Sequence, residues 1–350
     1  MHASDPDSLP TTPTRRPRTV LAMSAETKEA ILDEAALRRL ADTAAIDVDL
    51  LLTDFAATSP ELETALASAE VLFTGWGCPP LTSDALKRMP ELRAVIHAAG
   101  SVKHHMTEAA WARGLVATSA ARANGLPVAE YTLAAILFAN KRVLQGACVY
   151  REARTRPNLL TLFPGIGNYR RTVGIVGAST IGRRVMELLR PFDLTVLLHD
   201  PYVGRTEARA LGAEAVDLDT LVRRSDVVSI HAPELPETYH QFDRERLALL
   251  RDGATLINTA RGSLVDTQAL TDELVPGRIH AVLDVTDPEP LPADSPLFDL
   301  PNVLLTPHIA GSLGNELARM ADTAIDELER YAHGQHFEHP VHPAALARSA

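Results

Sequence analysis

The sequence has little cysteine, few aromatic residues and no long apolar run. Two cysteines in 350 residues, Cys78 and Cys148, are too few for a disulfide framework, and no CxxC or Cys/His cluster suggests a metal site. No apolar run approaches the roughly 20 residues needed to cross a bilayer. The first eighteen residues, carrying Pro6, Pro10, Pro13, Arg15, Arg16, Pro17 and Arg18, lack the apolar segment of a secretory signal. Positive charge is also short: 34 Lys+Arg against 45 Asp+Glu leave a formal charge of −11. That balance argues against binding to nucleic acid or to an anionic membrane, while leaving room for a local pocket for a small anion. What remains, with 46% apolar and 23% charged residues, is ordinary globular composition. The expectation is a soluble cytoplasmic protein of two domains, at roughly 100–200 residues each.

Short apolar runs alternate with amphipathic stretches along most of the chain. Strands are expected at 19–23, 49–53, 70–74, 93–97 and 115–118, separated by helical patterns such as 37–43, 60–67 and 107–113. Strands spaced by helices of this length read as βαβ units with a parallel sheet. One apolar-periodic segment, 128–151, reads as a single helix and ends in a loop with Pro157, Pro164, Gly165 and Gly167. The alternation then restarts, with strands expected at 172–176, 194–199, 226–230, 254–258, 278–284 and 302–306. Six such strands are what a doubly wound dinucleotide-binding sheet needs. A last helix, about 312–331, comes too late for that sheet and reads as a return to the first domain. The expected fold is therefore α/β, with two Rossmann-like or flavodoxin-like domains built on parallel sheets. The cofactor domain, 146–311, is inserted into a substrate domain of 19–145 and 312–338, with a disordered extension at 1–18 and a tail at 339–350.

The segment Val173-Gly174-Ile175-Val176-Gly177-Ala178-Ser179-Thr180-Ile181-Gly182 places a glycine-bounded turn between a strand and a helix. In a GxGxxG turn, successive glycines make the bend, admit the pyrophosphate and allow helix–strand packing. Gly177 and Gly182 take the first and third positions, but Ser179 stands at the second, where its hydroxyl can donate to a phosphate oxygen. The N–H groups around Thr180 and Ile181 offer the anion a helix N-terminus. Asp200 ends the next expected strand, eighteen residues after Gly182. An acid about 20 residues on accepts hydrogen bonds from the adenosine ribose and repels a 2′-phosphate, which favours NAD over NADP. Taken alone, Asp200 also reads as a capping acid before Pro201.

Three polar residues follow the last three expected strands, at the edge where open α/β sheets bind ligands. They are Arg261 after Ile257-Asn258-Thr259-Ala260, Glu289 within Leu283-Asp284-Val285-Thr286-Asp287-Pro288-Glu289-Pro290, and His308 within Thr306-Pro307-His308-Ile309-Ala310-Gly311. Each alone reads as an ordinary surface or packing residue; together they make an acid–base site. An imidazole can give a proton to a carbonyl oxygen or take one from a hydroxyl. A nearby carboxylate favours the imidazolium and fixes the ring. A guanidinium offers a rigid fork that can bind a substrate carboxylate or polarise its carbonyl.

These segments resemble the D-isomer-specific 2-hydroxyacid dehydrogenases, whose members include D-3-phosphoglycerate, D-lactate, glycerate and formate dehydrogenases. The resemblance runs from about residue 70 to 335 and also rests on Asn124 with Val128-Ala129-Glu130 and on His231-Ala232-Pro233. It implies an enzyme that interconverts a D-2-hydroxy acid and its 2-keto acid with NAD, through Arg261, His308 and a supporting Glu289. It further implies cofactor contacts at His231, Ala232, Pro233, Thr259, Ala260, Asp284, His308 and Gly311, with Asp284 at the nicotinamide carboxamide. A homodimer joined through the region 128–151 is implied as well.

By the same resemblance, the substrate carboxylate meets the loop Ala98-Ala99-Gly100-Ser101-Val102. The acids usual after that loop are replaced by Lys103, His104 and His105. Those residues read either as a solvated basic loop or as a patch for a second anionic group on the substrate. Trp76, within Gly75-Trp76-Gly77, reads either as a wall limiting substrate size or as buried packing. The reading from another class is a non-catalytic NAD(H)-sensing protein on the same fold, which would need the glycine turn but not the Arg261, Glu289 and His308 set.

Overall fold

The computed structural model describes residues 15–346, and the first fourteen residues of the expected extension lie outside them. The chain divides into two compact units, residues 15–124 with Leu313–Leu346, and Gly125–Ser312.

In the first unit a six-stranded sheet runs in the order Pro340–Val341, Val116–Ser119, Ala94–His97, Val71–Thr74, Thr19–Ala22 and Leu51–Leu52. All neighbours are parallel except Pro340–Val341, which pairs antiparallel with Val116–Ser119. The three central strands, TVLA, VLFT and AVIH, are buried along their whole length. Such unbroken apolar runs are what a parallel sheet covered on both faces requires. Leu21, Phe73 and Ile96 pack with Met320, Ile325 and Leu328 of the helix Leu317–Ala332. Val20, Leu72 and Val95 face the opposite core. Ser24, Asp33, Ser59, Thr82 and Thr107 each accept a backbone N–H at a helix start, so the sequence marks these helices with its own caps.

Both expected tails join this unit in part. Residues 15–18 are held by Arg15 on Glu70 (2.8 Å), Arg16 on the Ala44 carbonyl (2.8 Å), and a bridge from Arg18 to Ala45. The segment after 338 supplies the edge strand Pro340–Val341, with buried Glu327 accepting the Glu338 N–H at 3.0 Å. Two residues of strand are too short to leave a periodic pattern.

In the second unit seven parallel strands run in the order Val303–Leu305, His280–Leu283, Thr255–Asn258, Val227–Ile230, Thr172–Val176, Thr195–His199 and Glu214–Ala215. Numbered from Thr172–Val176, the first six read 3-2-1-4-5-6, the doubly wound dinucleotide-binding order, with a seventh strand outside. The expected helix at 128–151 is two helices, Ala121–Lys141 and Val143–Ala153. Arg142 between them is left-handed (φ 49°), and its guanidinium bonds the Gly253 carbonyl and, at 3.0 Å, the Thr255 hydroxyl. The division between units falls at 124/125 rather than at 145, because Ala129, Ala135 and Ile136 of the first helix share a core with Val173, Ile175 and Val185. Among the described residues no helix is long and apolar enough to cross a membrane, and no group of His, Cys, Asp and Glu is arranged to hold a metal ion.

Candidate active site

The glycine turn follows Thr172–Val176. Gly177 has φ +97°, and a Cβ there would lie 2.8 Å from the His231 carbonyl and the Ala232 N–H, so only glycine lets these two strand ends meet. Ser179 has φ −62° and ψ 174°, extended backbone that any L-residue adopts, which explains why this position does without glycine. Its hydroxyl caps the helix Thr180–Leu189 by accepting the Gly182 N–H at 3.3 Å. Gly182 lies against the Gly177 carbonyl, where a Cβ would overlap. Asp200 sits beside this turn: Oδ2 accepts the Ala178 N–H at 2.7 Å and Oδ1 accepts the Tyr202 N–H at 2.8 Å. Thus the acid both caps its own loop and buttresses the glycine turn.

His231 turns inward. It is 4% exposed and contacts the Ser229 hydroxyl at 2.9 Å, so at this edge the segment presents its backbone and the partly buried Pro233. Burial pushes its imidazole down from 6.5 to about 4. The unfolded chain therefore binds a proton near pH 6.5 that the folded chain refuses until about pH 4. Stability is full above pH 6.5 and falls as the solution is acidified through this window, by roughly 3 kcal/mol from this residue. We expect the urea midpoint to drop between pH 7.5 and 5 at constant m, and to drop less in His231→Asn; an equal drop in that variant would show that His231 is not held neutral.

Arg261, Glu289 and His308 follow three adjacent strands. The Asn258 side chain closes the turn before Arg261, donating to the Arg261 carbonyl (2.8 Å) and accepting the Ala260 N–H (3.0 Å). Arg261 itself folds onto the Ala260 carbonyl, donating from Nη1 at 2.6 Å. Thr259 is buried, its hydroxyl 3.1 Å from that of Thr132, and Ala260 is buried beside it. Gly262 presses against the Glu289 loop: a Cβ there would overlap the Thr286 carbonyl and lie 2.6 Å from the Asp287 nitrogen. His308 Nδ1 and Glu289 Oε1 are 2.8 Å apart, and both side chains remain about half exposed, at 53% and 44%.

His308 is left-handed, with φ 56°, a conformation that costs an L-residue about 1–2 kcal/mol. Asp284 offsets that cost. Its backbone carbonyl accepts the His308 N–H at 3.0 Å. Its buried carboxylate accepts the Ile309 and Ala310 N–H groups, both at 2.8 Å, and the Thr306 hydroxyl at 2.6 Å. The acid that the resemblance set against nicotinamide is therefore also the clasp of the histidine turn.

On the first unit, Ala98 and Ala99 are fully buried, Gly100 and Ser101 partly so, and Lys103 and His104 are exposed. His105 departs from the expected basic patch. Val102, His105 and Met106 recur at helical spacing, and the Met106 N–H reaches the Val102 carbonyl at 2.9 Å, so all three point into the core. The His105 ring lies 4.5 Å from that of His97, and burial pushes its imidazole down to about 4. Trp76 is 41% exposed, which removes the buried-packing reading.

The sequence model of the D-isomer specific 2-hydroxyacid dehydrogenase NAD binding domain matches residues 133–310, half of the chain. The chain belongs to this family. It is 31% identical over 313 residues to a D-3-phosphoglycerate dehydrogenase of Methanocaldococcus jannaschii, covering 89% of this chain and 58% of that one. A glyoxylate/hydroxypyruvate reductase B of Yersinia pestis is 33% identical, over 82% of this chain and 88% of its own. The crystal structure of the TT0316 protein from Thermus thermophilus superposes with TM-score 0.72 at 31% identity, over 93% of this chain and 99% of that one. The chain spans only about half the length of the D-3-phosphoglycerate dehydrogenases that it matches.

Sequence reasoning missed the close approach of Gly262 to the Thr286–Asp287 backbone and the hydroxyl that Thr306 donates to Asp284. Gly262 and Thr306 stand inside the motifs, at positions flanking Arg261 and His308.

Proposed function

We propose that this protein interconverts a D-2-hydroxy acid and the matching 2-keto acid with a nicotinamide dinucleotide as hydride partner. The observation that carries the reading is the 2.8 Å contact of His308 Nδ1 with Glu289, at the same sheet edge as the glycine turn. That turn suits a dinucleotide: Gly177 makes the bend against the His231–Ala232 backbone, and Ser179, Thr180, Ile181 and Gly182 open a helix toward a pyrophosphate. The carboxylate of Asp200 beside it supports NAD over NADP. Pro233, Ala260 and Gly311, with the backbone of Ala232 and Thr259, would border the rest of the cofactor.

When bound, the dinucleotide supplies or accepts the hydride at the substrate's oxygen-bearing carbon. Glu289 accepts the Nδ1–H of His308, which orients the ring and leaves Nε2 to move the proton. During reduction Nε2–H donates to the carbonyl oxygen as charge gathers there; during oxidation the neutral Nε2 takes the hydroxyl proton. Arg261 holds the substrate carboxylate with its fork. Exposed Lys103 and His104 support an assignment to a second anionic group on the substrate. Exposed Phe138 and Leu144, with Tyr150, Leu160 and Leu162 further along, support a homodimer.

The test is a spectrophotometric NADH-oxidation screen over mono- and dianionic 2-keto acids, repeated with NADPH, and a mass in solution for the dimer. Oxidation with no keto acid despite tight NADH binding would overturn the enzymatic reading in favour of a sensor. Asp200→Ala is expected to raise the ratio of NADPH to NADH efficiency by about 10-fold or more, as a carboxylate facing the 2′-phosphate is removed. An unchanged ratio would detach Asp200 from cofactor choice.

A further inference from the structure

The turn bearing His308 is gripped twice. Glu289 holds the side chain, while Asp284 holds the backbone at the histidine and at the two residues after it. The carboxylate of Asp284 is itself steered by the Thr306 hydroxyl, which donates to Oδ1 at 2.6 Å. Thr306 has one hydroxyl hydrogen, and an acceptor-only carboxylate claims it. At the 2.9 Å contact between Thr306 and the Tyr131 phenol, the donor must therefore be Tyr131. Burial pushes that phenol above its usual 10, so the proton to be donated is retained at any working pH. The result is a one-way chain of donors from the helix Ala121–Lys141 into the loop after Val303–Leu305. Chained hydrogen bonds polarise and stiffen one another.

We propose that Tyr131 is a positioning residue, which acts through the Thr306 hydroxyl and the Asp284 carboxylate to hold the left-handed turn that presents His308 for proton transfer. The proposal rests on the functional reading above. Tyr131 touches neither His308 nor Glu289; its effect passes through one hydroxyl. That restriction separates it from a residue that merely fills space, because removing the intermediate hydroxyl must also remove whatever the phenol contributes.

The test compares the full-length wild type with Tyr131→Phe, Thr306→Val, Thr306→Ser and the Tyr131→Phe/Thr306→Val pair. Turnover is measured on the keto acid that the wild type reduces, and amide hydrogen exchange is followed at Ile309 and Ala310. Thr306→Val is expected to lower kcat about 10- to 100-fold, and Tyr131→Phe about 3- to 10-fold, with KM for NADH within about twofold. Thr306→Ser, which keeps the hydroxyl, restores kcat to within about threefold of wild type. The double variant matches Thr306→Val alone, since residues acting through one another are non-additive. Exchange at Ile309 and Ala310 rises about 10-fold in both Tyr131→Phe and Thr306→Val. Wild-type kcat and exchange in Tyr131→Phe, or a double variant equal to the product of the single effects, overturns the proposal. If the wild type reduces no keto acid, the functional reading falls, and exchange at the two amides still decides whether the chain holds the turn.

Discussion

His308→Asn is expected to lower keto-acid reduction about 100-fold or more, with the fold retained. Asparagine is the informative replacement because it tolerates the left-handed backbone that His308 adopts but has no titratable ring. The side chain is half exposed and so is its partner Glu289, so removing the ring strands no buried charge. A loss of turnover therefore reports on the proton transfer and not on unfolding. Arg261→Ala should cost a similar factor, with Arg261→Lys recovering little of it. Lysine keeps a charge but cannot reproduce the two-pronged geometry. Turnover within about threefold of wild type in His308→Asn, on the substrate found by screening, would take the imidazole out of the reaction.

The second large effect is expected from a single methyl group. Gly262→Ala places a Cβ on the Thr286 carbonyl and within 2.6 Å of the Asp287 nitrogen. A flexible side chain could step aside, but here the obstacle is backbone. Thr267 also holds this stretch, its hydroxyl donating to the Asp287 carbonyl at 2.6 Å. Overpacking costs about 1–3 kcal/mol where neighbours can adjust, and the upper end is expected where they cannot. For a unit of this size that corresponds to a fall in Tm of roughly 6–12 °C. The displaced segment leads directly to Glu289, so kcat should fall about 10-fold below that of the wild type at a temperature where both are folded. Calorimetry and steady-state rates check both; an unaltered Tm would show that the two loops do not press together.

Much of the second unit was legible because its signals are local and repeated. Buried parallel strands are short apolar runs, and the six expected in that unit lie within a residue or two of those observed. The residues at the strand ends stood out only as a set, because each alone reads as an ordinary surface or packing residue. Other features carried no local signal. Pro340–Val341 becomes a strand only because Val116–Ser119 offers it an open edge. The break at Arg142 is decided by the Gly253 carbonyl and the Thr255 hydroxyl, more than a hundred residues away. His105 read as one of three consecutive basic residues, yet its spacing from Val102 and Met106 sends it inward. The same holds for the role of Asp284, whose motif showed an acid but not the three donors gathered around it.

The interleaving of the two units has a consequence for how the chain is born. Gly125–Ser312 is continuous, so every strand of its sheet is made before the helix Leu317–Ala332. The earlier-made residues 15–124 lack the helix Leu317–Ala332, which covers Leu21, Phe73 and Ile96, until the whole of Gly125–Ser312 has been made. The unit begun first is thus completed only after the other, and until then its strands present the bare apolar face that this helix will cover.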